Sequence, residues 1–130
     1  MTEKEFFELM ISEYAKRTGE ELPSSGIGHY LEYFMTGYPP EKLELKLTRK
    51  IAARLIHEFM LNVLGFYDEE WKEAAKLKDI YDCRVCANAI AQVYDRGIMP
   101  AASDMVFGLN EVVTSQEASE YINKMLDMVI

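Results

Sequence analysis

"GIMPAASDMVFGLNEVVTSQEA", residues 97–118, is the stretch on which the fold turns. Gly97 offers the left-handed backbone that ends a helix, and Pro100 with Ser103-Asp104 holds the chain in turns. The "MVF" that follows is short and apolar enough to lie extended across a core. Thr114 and Glu117 then stand at capping-box spacing, so a helix restarts over residues 115–127 with Ala118, Tyr121, Ile122, Met125 and Leu126 inward. The segment reads as a helix-to-helix crossing that contributes core residues.

Working outward, the flanks are mainly helical. Thr2 and Glu5 form another T-x-x-E capping box, and Phe6, Phe7, Met10, Ile11 and Tyr14 recur at helical spacing before Gly19, which predicts a first helix over residues 3–17. "EELPSSG" is a turn-rich link; Ile27, Tyr30, Leu31, Phe34 and Met35 then make a short helical face that Gly37 and Pro39-Pro40 stop. "EKLELKL" places Leu43, Leu45 and Leu47 at a period of two, which suits an extended, half-buried segment. Thr48 stands as the cap of the helix with the clearest pattern, lined by Ala52, Leu55, Ile56, Phe59, Met60 and Val63 and closed by Gly65. Asp68 is placed to cap a short helix carrying Trp71 and Ala75, and Val85, Cys86, Ala89, Ile90 and Val93 form a last inward face ahead of Gly97.

The bulk numbers bound what this array can do. At 130 residues the chain fits one domain with one core. With 14 Lys and Arg against 22 Asp and Glu, its net charge of -8 argues against a nucleic-acid backbone or an anionic membrane surface as a general partner. No apolar run approaches the roughly 20 residues of a membrane-spanning helix, so no membrane insertion is expected. No export signal follows Met1, which makes a cytoplasmic location the expectation, or the cell surface if the chain is a piece of an exported protein.

Two segments resemble each other. "LTRKIAARLIHEFM" from Leu47 lies over "VTSQEASEYINKML" from Val113 at an offset of 66 residues, matching Thr48 with Thr114, Ala52 with Ala118 and Ile56 with Ile122. Each follows a glycine-ended helix and an apolar-containing connector, 11 positions from Gly37 to Thr48 and 17 from Gly97 to Thr114. Two copies of helix, connector, helix is the economical reading.

Candidate chemistry is sparse. Cys83 and Cys86 form a C-x-x-C, which binds zinc or exchanges thiols in the right setting. Zinc needs about four ligands, His29 and His57 are the only histidines, and the βαβ context of a redox motif is missing, so both cysteines are expected as packed or part-exposed thiols, with no metal and no cofactor. The histidines stand on helix flanks without a neighbouring nucleophile, and the carboxylates read as a solvated acidic face, so no catalytic residue is assigned. Tyr30, Tyr33, Phe34 and Tyr38 outnumber the aromatics one small helix can bury, which marks them as an interface.

"LKDIYDCRVCANAIAQVYDRGIM" followed by "FGLNEVVTSQEA" resembles the S-layer homology module. The matching features are Asp79-Ile80, Gly97-Ile98, Phe107 with Asn110, and Thr114 with Glu117. What the resemblance implies is a mainly α domain of two helix-connector-helix units, over residues 25–65 and 77–127; the N-terminal helix, within residues 1–20, lies outside the resemblance as an additional element of the same domain. The resemblance further implies a non-catalytic module that holds an acidic cell-wall polysaccharide, with Thr48 and Arg49 as the ligand-binding residues; the second copy has Ser115 at the arginine position. A self-associating cytoplasmic domain that keeps the fold and binds a protein partner is the other expectation, and a homodimer would complete a four-module bundle.

Overall fold

In the computed structural model, which describes residues 1–20 and 39–129, the described chain is mainly helical. Its helices are α1 (Glu3–Thr18), α2 (Arg49–Asn62), α3 (Arg84–Asp95) and α4 (Ser115–Asp127), with 3-10 turns at Pro40–Glu44 and Glu73–Lys76. The helix expected near residues 27–35 lies outside the described residues, as do Tyr30, Tyr33, Phe34 and Tyr38.

The local signals act as their chemistry requires at three helix ends. Thr2 Oγ1 accepts from the Glu5 N–H at 3.1 Å while Glu5 Oε1 accepts from the Thr2 N–H at 2.8 Å, so α1 opens on a complete capping box. Thr114 and Glu117 repeat the arrangement at α4, at 3.1 and 3.0 Å. Gly97 follows α3 in the left-handed conformation, φ 74°.

Short extended lead-ins tie three helix heads together. The Glu3 N–H donates to Leu45 O and the Leu47 N–H to Met1 O, while the Val113 N–H donates to Leu47 O. Antiparallel bridges join Thr2 to Lys46 and Thr48 to Val112. Helices α1, α2 and α4 pack on one another behind this seam, and α3 lies against α2 and the Glu73–Lys76 turn. At the far end, Arg17 clamps α1 to α4 by donating to Asp127 at 2.6 Å and to Asn123 at 3.0 Å.

One continuous core fills the space between them. It takes Phe6, Phe7 and Met10 from α1, Leu55, Ile56 and Phe59 from α2, Ile90 and Val93 from α3, and Ile122, Met125 and Leu126 from α4. The connector supplies Ile98, Met99, Phe107, Leu109 and Val113 to the same cluster, so the crossing is part of the interior. Burying an aromatic such as Phe107 contributes about 1.5–3 kcal/mol.

Four local expectations are corrected. Met105 adopts φ 54° in a turn bridged from Ser103 to Val106, so "MVF" does not run extended; the turn instead aims Phe107 inward. The 3-10 turn at Pro40–Glu44 breaks the period of two in "EKLELKL", which buries Leu43 and Leu47 but leaves Leu45 54% exposed. Asp68 caps no helix, because its carboxylate is held by His57 and Asn88; only a 3-10 turn forms, with Ala74 buried in place of Ala75. Val85, in the first turn of α3, is 74% exposed, since the inward face begins at Cys86.

Candidate functional site

Thr48 and Arg49 stand at the head of α2, but neither presents a free polar group. Arg49 is 5% exposed. Its Nε donates to Phe107 O and one terminal nitrogen to the Tyr121 hydroxyl, both at 2.8 Å, and the other terminal nitrogen donates to Pro100 O. The guanidinium also lies 4.6 Å from the Phe107 ring centre and 5.9 Å from that of Tyr121. An external anion would compete with all of these partners. Burial raises the Tyr121 pKa against the opposing effect of the Arg49 charge. Glu117 is held below the usual carboxylate range, chiefly by the Thr114 N–H that it accepts.

Thr48 occupies the cap position of α2, yet its hydroxyl makes no capping bond and Oγ1 is buried without a partner among the described residues. The expected hydroxyl cap is therefore replaced. The Arg49 N–H donates to Glu111 O at 2.9 Å and the Lys50 N–H to Leu109 O at 3.0 Å, so the connector's carbonyls satisfy the first-turn donors. Ile51 stands where a glutamate would complete a box.

The head of α3 is built differently. Cys83 sits at its N-cap and Cys86 in its first turn, with the Cys86 N–H donating to Cys83 O at 3.1 Å. This spacing sets the two Cα atoms 5.2 Å apart, within bridging range, and the sulfurs are joined as a disulfide. The expectation of two thiols is corrected by that pairing. Cys86 is 1% exposed, whereas Cys83 is half-buried at the edge of the core.

Beside the disulfide lies an open groove of about 510 Å³ lined by Trp71, Tyr81, Arg84, Ala87 and Asn88. The Trp71 and Tyr81 rings are 5.9 Å apart and inclined by 35°, with Tyr81 68% exposed. Trp71 donates through Nε1 to Asn88 Oδ1 at 3.0 Å, which fixes its ring. Arg84 is exposed and makes no ion pair among the described residues. A second hollow of about 170 Å³, lined by Arg54, His57, Glu58, Val85, Asn88 and Ala89, meets the groove at Asn88.

Polar contacts hold the walls. His57 Nε2 is 2.7 Å from Asp68 Oδ1, and Asn88 Nδ2 donates to Asp68 Oδ2 at 2.9 Å. Burial works to raise the Asp68 pKa, but the His57 and Asn88 bonds and the nearby Arg96 charge outweigh it and leave the carboxyl below its usual range. Gln92 exchanges two bonds with the Glu69 backbone, and the Asp95 carboxylate accepts from the Lys72 and Ala74 N–H groups. Asp79 does the same for the connector, accepting from the Phe107 and Gly108 N–H groups at 2.9 Å.

The arrangement offers two aromatic faces, a guanidinium and a fixed amide around a concave surface. Sequence reading passed over Tyr81, Arg84 and Asn88; the signal available was an aromatic just before the C-x-x-C and an arginine within it. His57, expected at a helix flank, is buried and engaged, and His29 lies outside the described residues. Among the described residues no cluster of three or more His, Cys, Asp or Glu is placed to hold a metal, and no helix is long and apolar enough to cross a membrane. Comparison with known protein families, with curated proteins and with solved structures finds no match to this chain.

Proposed function

We propose that the chain is a non-catalytic binding module for an acidic glycan, with the groove at the head of α3 as its ligand site. The carrying observation is the company kept there: Arg84, with no ion pair among the described residues, beside the Trp71 and Tyr81 rings. In a protein of net charge -8, an exposed guanidinium without an ion pair among the described residues is a local point of attraction for a carboxylate. Aromatic faces next to it supply apolar contact for the faces of sugar rings. The reading keeps the ligand class implied by the resemblance to S-layer homology modules but moves the site away from Arg49, whose donors serve the fold.

A protein partner, including a second copy of the chain, is the competing occupant. Tyr81 and Val85 are the observation that favours it, since both expose most of their apolar surface at the rims of the two hollows. Retention on purified cell-wall sacculi or an immobilised acidic polysaccharide distinguishes the two. Arg84→Gln is expected to cost about 1.5–3 kcal/mol of binding while leaving the unfolding midpoint in place. Arg49→Ala is expected to lower that midpoint. Equal retention of wild type and Arg84→Gln sinks the glycan reading, and a dimer by light scattering that Val85→Glu dissolves supports the protein partner.

A further inference from the structure

We infer that the Cys83–Cys86 disulfide is a thiol–disulfide exchange site for a dithiol, with Cys83 as the sulfur attacked and Cys86 as the sulfur that leaves. The inference does not rest on the glycan reading, and it uses a feature that reading leaves unexplained.

The position of the bridge argues against a structural staple. It closes a ring across a sequence separation of 3, so it restrains little of the unfolded chain, because the constraint grows with loop length. Helix α3 is held by other means: Ala89, Ile90 and Val93 are buried, and Gln92 and Asp95 bind the backbone of the preceding link. Opening the bridge therefore leaves the packing of α3 intact.

The two sulfurs are also unequal. Cys86 belongs to the core cluster, out of reach of any incoming reagent, whereas Cys83 lies at its half-buried edge, flanked by exposed Arg84 and Asp82. An external thiolate can meet only Cys83. Arg84 beside it offers positive charge to the approaching sulfur, and the first turn of a helix favours negative charge on a sulfur held there.

The exchange balances without any further reagent. A thiolate of the dithiol attacks Cys83 Sγ and forms a mixed disulfide; the Cys83–Cys86 bond breaks, and its electron pair goes to Cys86 Sγ, which takes up a proton. The second thiolate of the dithiol attacks its own sulfur in the mixed disulfide, closes the reductant's disulfide and releases Cys83, which is protonated in turn. Two electrons and two protons pass from the dithiol to the chain, and the reverse sequence oxidises it.

The test uses the full-length oxidised protein with dithiothreitol, acid quenching, maleimide labelling and mass spectrometry. Both thiols are expected to appear together under native conditions, with an unchanged far-UV spectrum and cooperative unfolding retained. Two single variants locate the attack. Cys86→Ala is expected to form a mixed disulfide with oxidised glutathione at Cys83, and Cys83→Ala to leave Cys86 labelled on the order of 100-fold more slowly. Each variant's circular dichroism confirms that it is folded before labelling. Thiols that appear only in denaturant, equal labelling of the two variants, loss of the fold on reduction, or a reduced protein that oxidised glutathione cannot close would each overturn the assignment. Glycan retention plays no part in these readouts, so either idea can fail alone.

Discussion

Helices α2 and α4 both begin at a threonine, and the two beginnings are held by different physics. At α4 the signal is local: Thr114 and Glu117 satisfy each other's backbone donors within four residues of chain. At α2 the threonine occupies the same place, but its hydroxyl is buried and unpartnered, and the donors of Arg49 and Lys50 reach carbonyls 62 and 59 residues away, at Glu111 and Leu109. One head is closed by its own sequence and the other by the connector that crosses it. At both of these heads the sequence places the helix start correctly, but at α2 it does not show which groups do the capping.

The difference can be broken at its strongest point by removing what holds the connector down. Phe107→Ala takes away a fully buried ring that also lies under the Arg49 guanidinium, and it is expected to cost about 3–5 kcal/mol. Urea unfolding should show a lower midpoint at an unchanged slope. A loss below about 1 kcal/mol would mean that the connector is not a structural part of the α2 head.

A paired substitution sharpens the comparison. Thr114→Ala is expected to destabilise by about 1 kcal/mol, the ordinary cost of a lost N-cap. Thr48→Val removes only a hydroxyl that has no partner, so it should fall within about 0.5 kcal/mol of neutral, on either side. Equal losses at the two threonines would erase the distinction between the two heads.

The smallest effect is electrostatic. The Glu117 pKa is depressed in the folded chain, chiefly by the Thr114 N–H, so its contribution is present above the unfolded value of about 4.3 and fades as pH falls through the folded one. Glu117→Gln keeps an acceptor for that N–H but no titrating group. Its stability should decline less steeply below about pH 4.3 than that of the wild type, measured by denaturant unfolding at several pH values. Parallel curves would show that the capping carboxylate is not coupled to folding.

How far the sequence was legible follows the same line between local and distant causes. The boundaries of α1 and α4 and the inward faces of α2 and α4 were readable because capping boxes and helical periodicity are written within a few residues. Val85 and Leu45 were misplaced because periodicity does not say where a face begins or where a 3-10 turn shifts it. Asp68 had the right chemistry for a cap, but His57 and Asn88 compete for its carboxylate from elements 11 and 20 residues away. The candidate site was the least legible part. The resemblance to S-layer homology modules implied Arg49 as a ligand residue, and only the fold shows three of its donors turned inward.

By itself the sequence determined a mainly helical chain with a core-forming connector, since apolar spacing and capping residues act over one or two turns. Tertiary structure alone decided that Arg84 makes no ion pair among the described residues, that the Thr48 hydroxyl is buried without a partner among them, and that Cys86 is more deeply buried than Cys83. Those are questions of what lies across the core, where partners dozens of residues apart compete for the same donor, acceptor or surface, and no local pattern encodes the outcome.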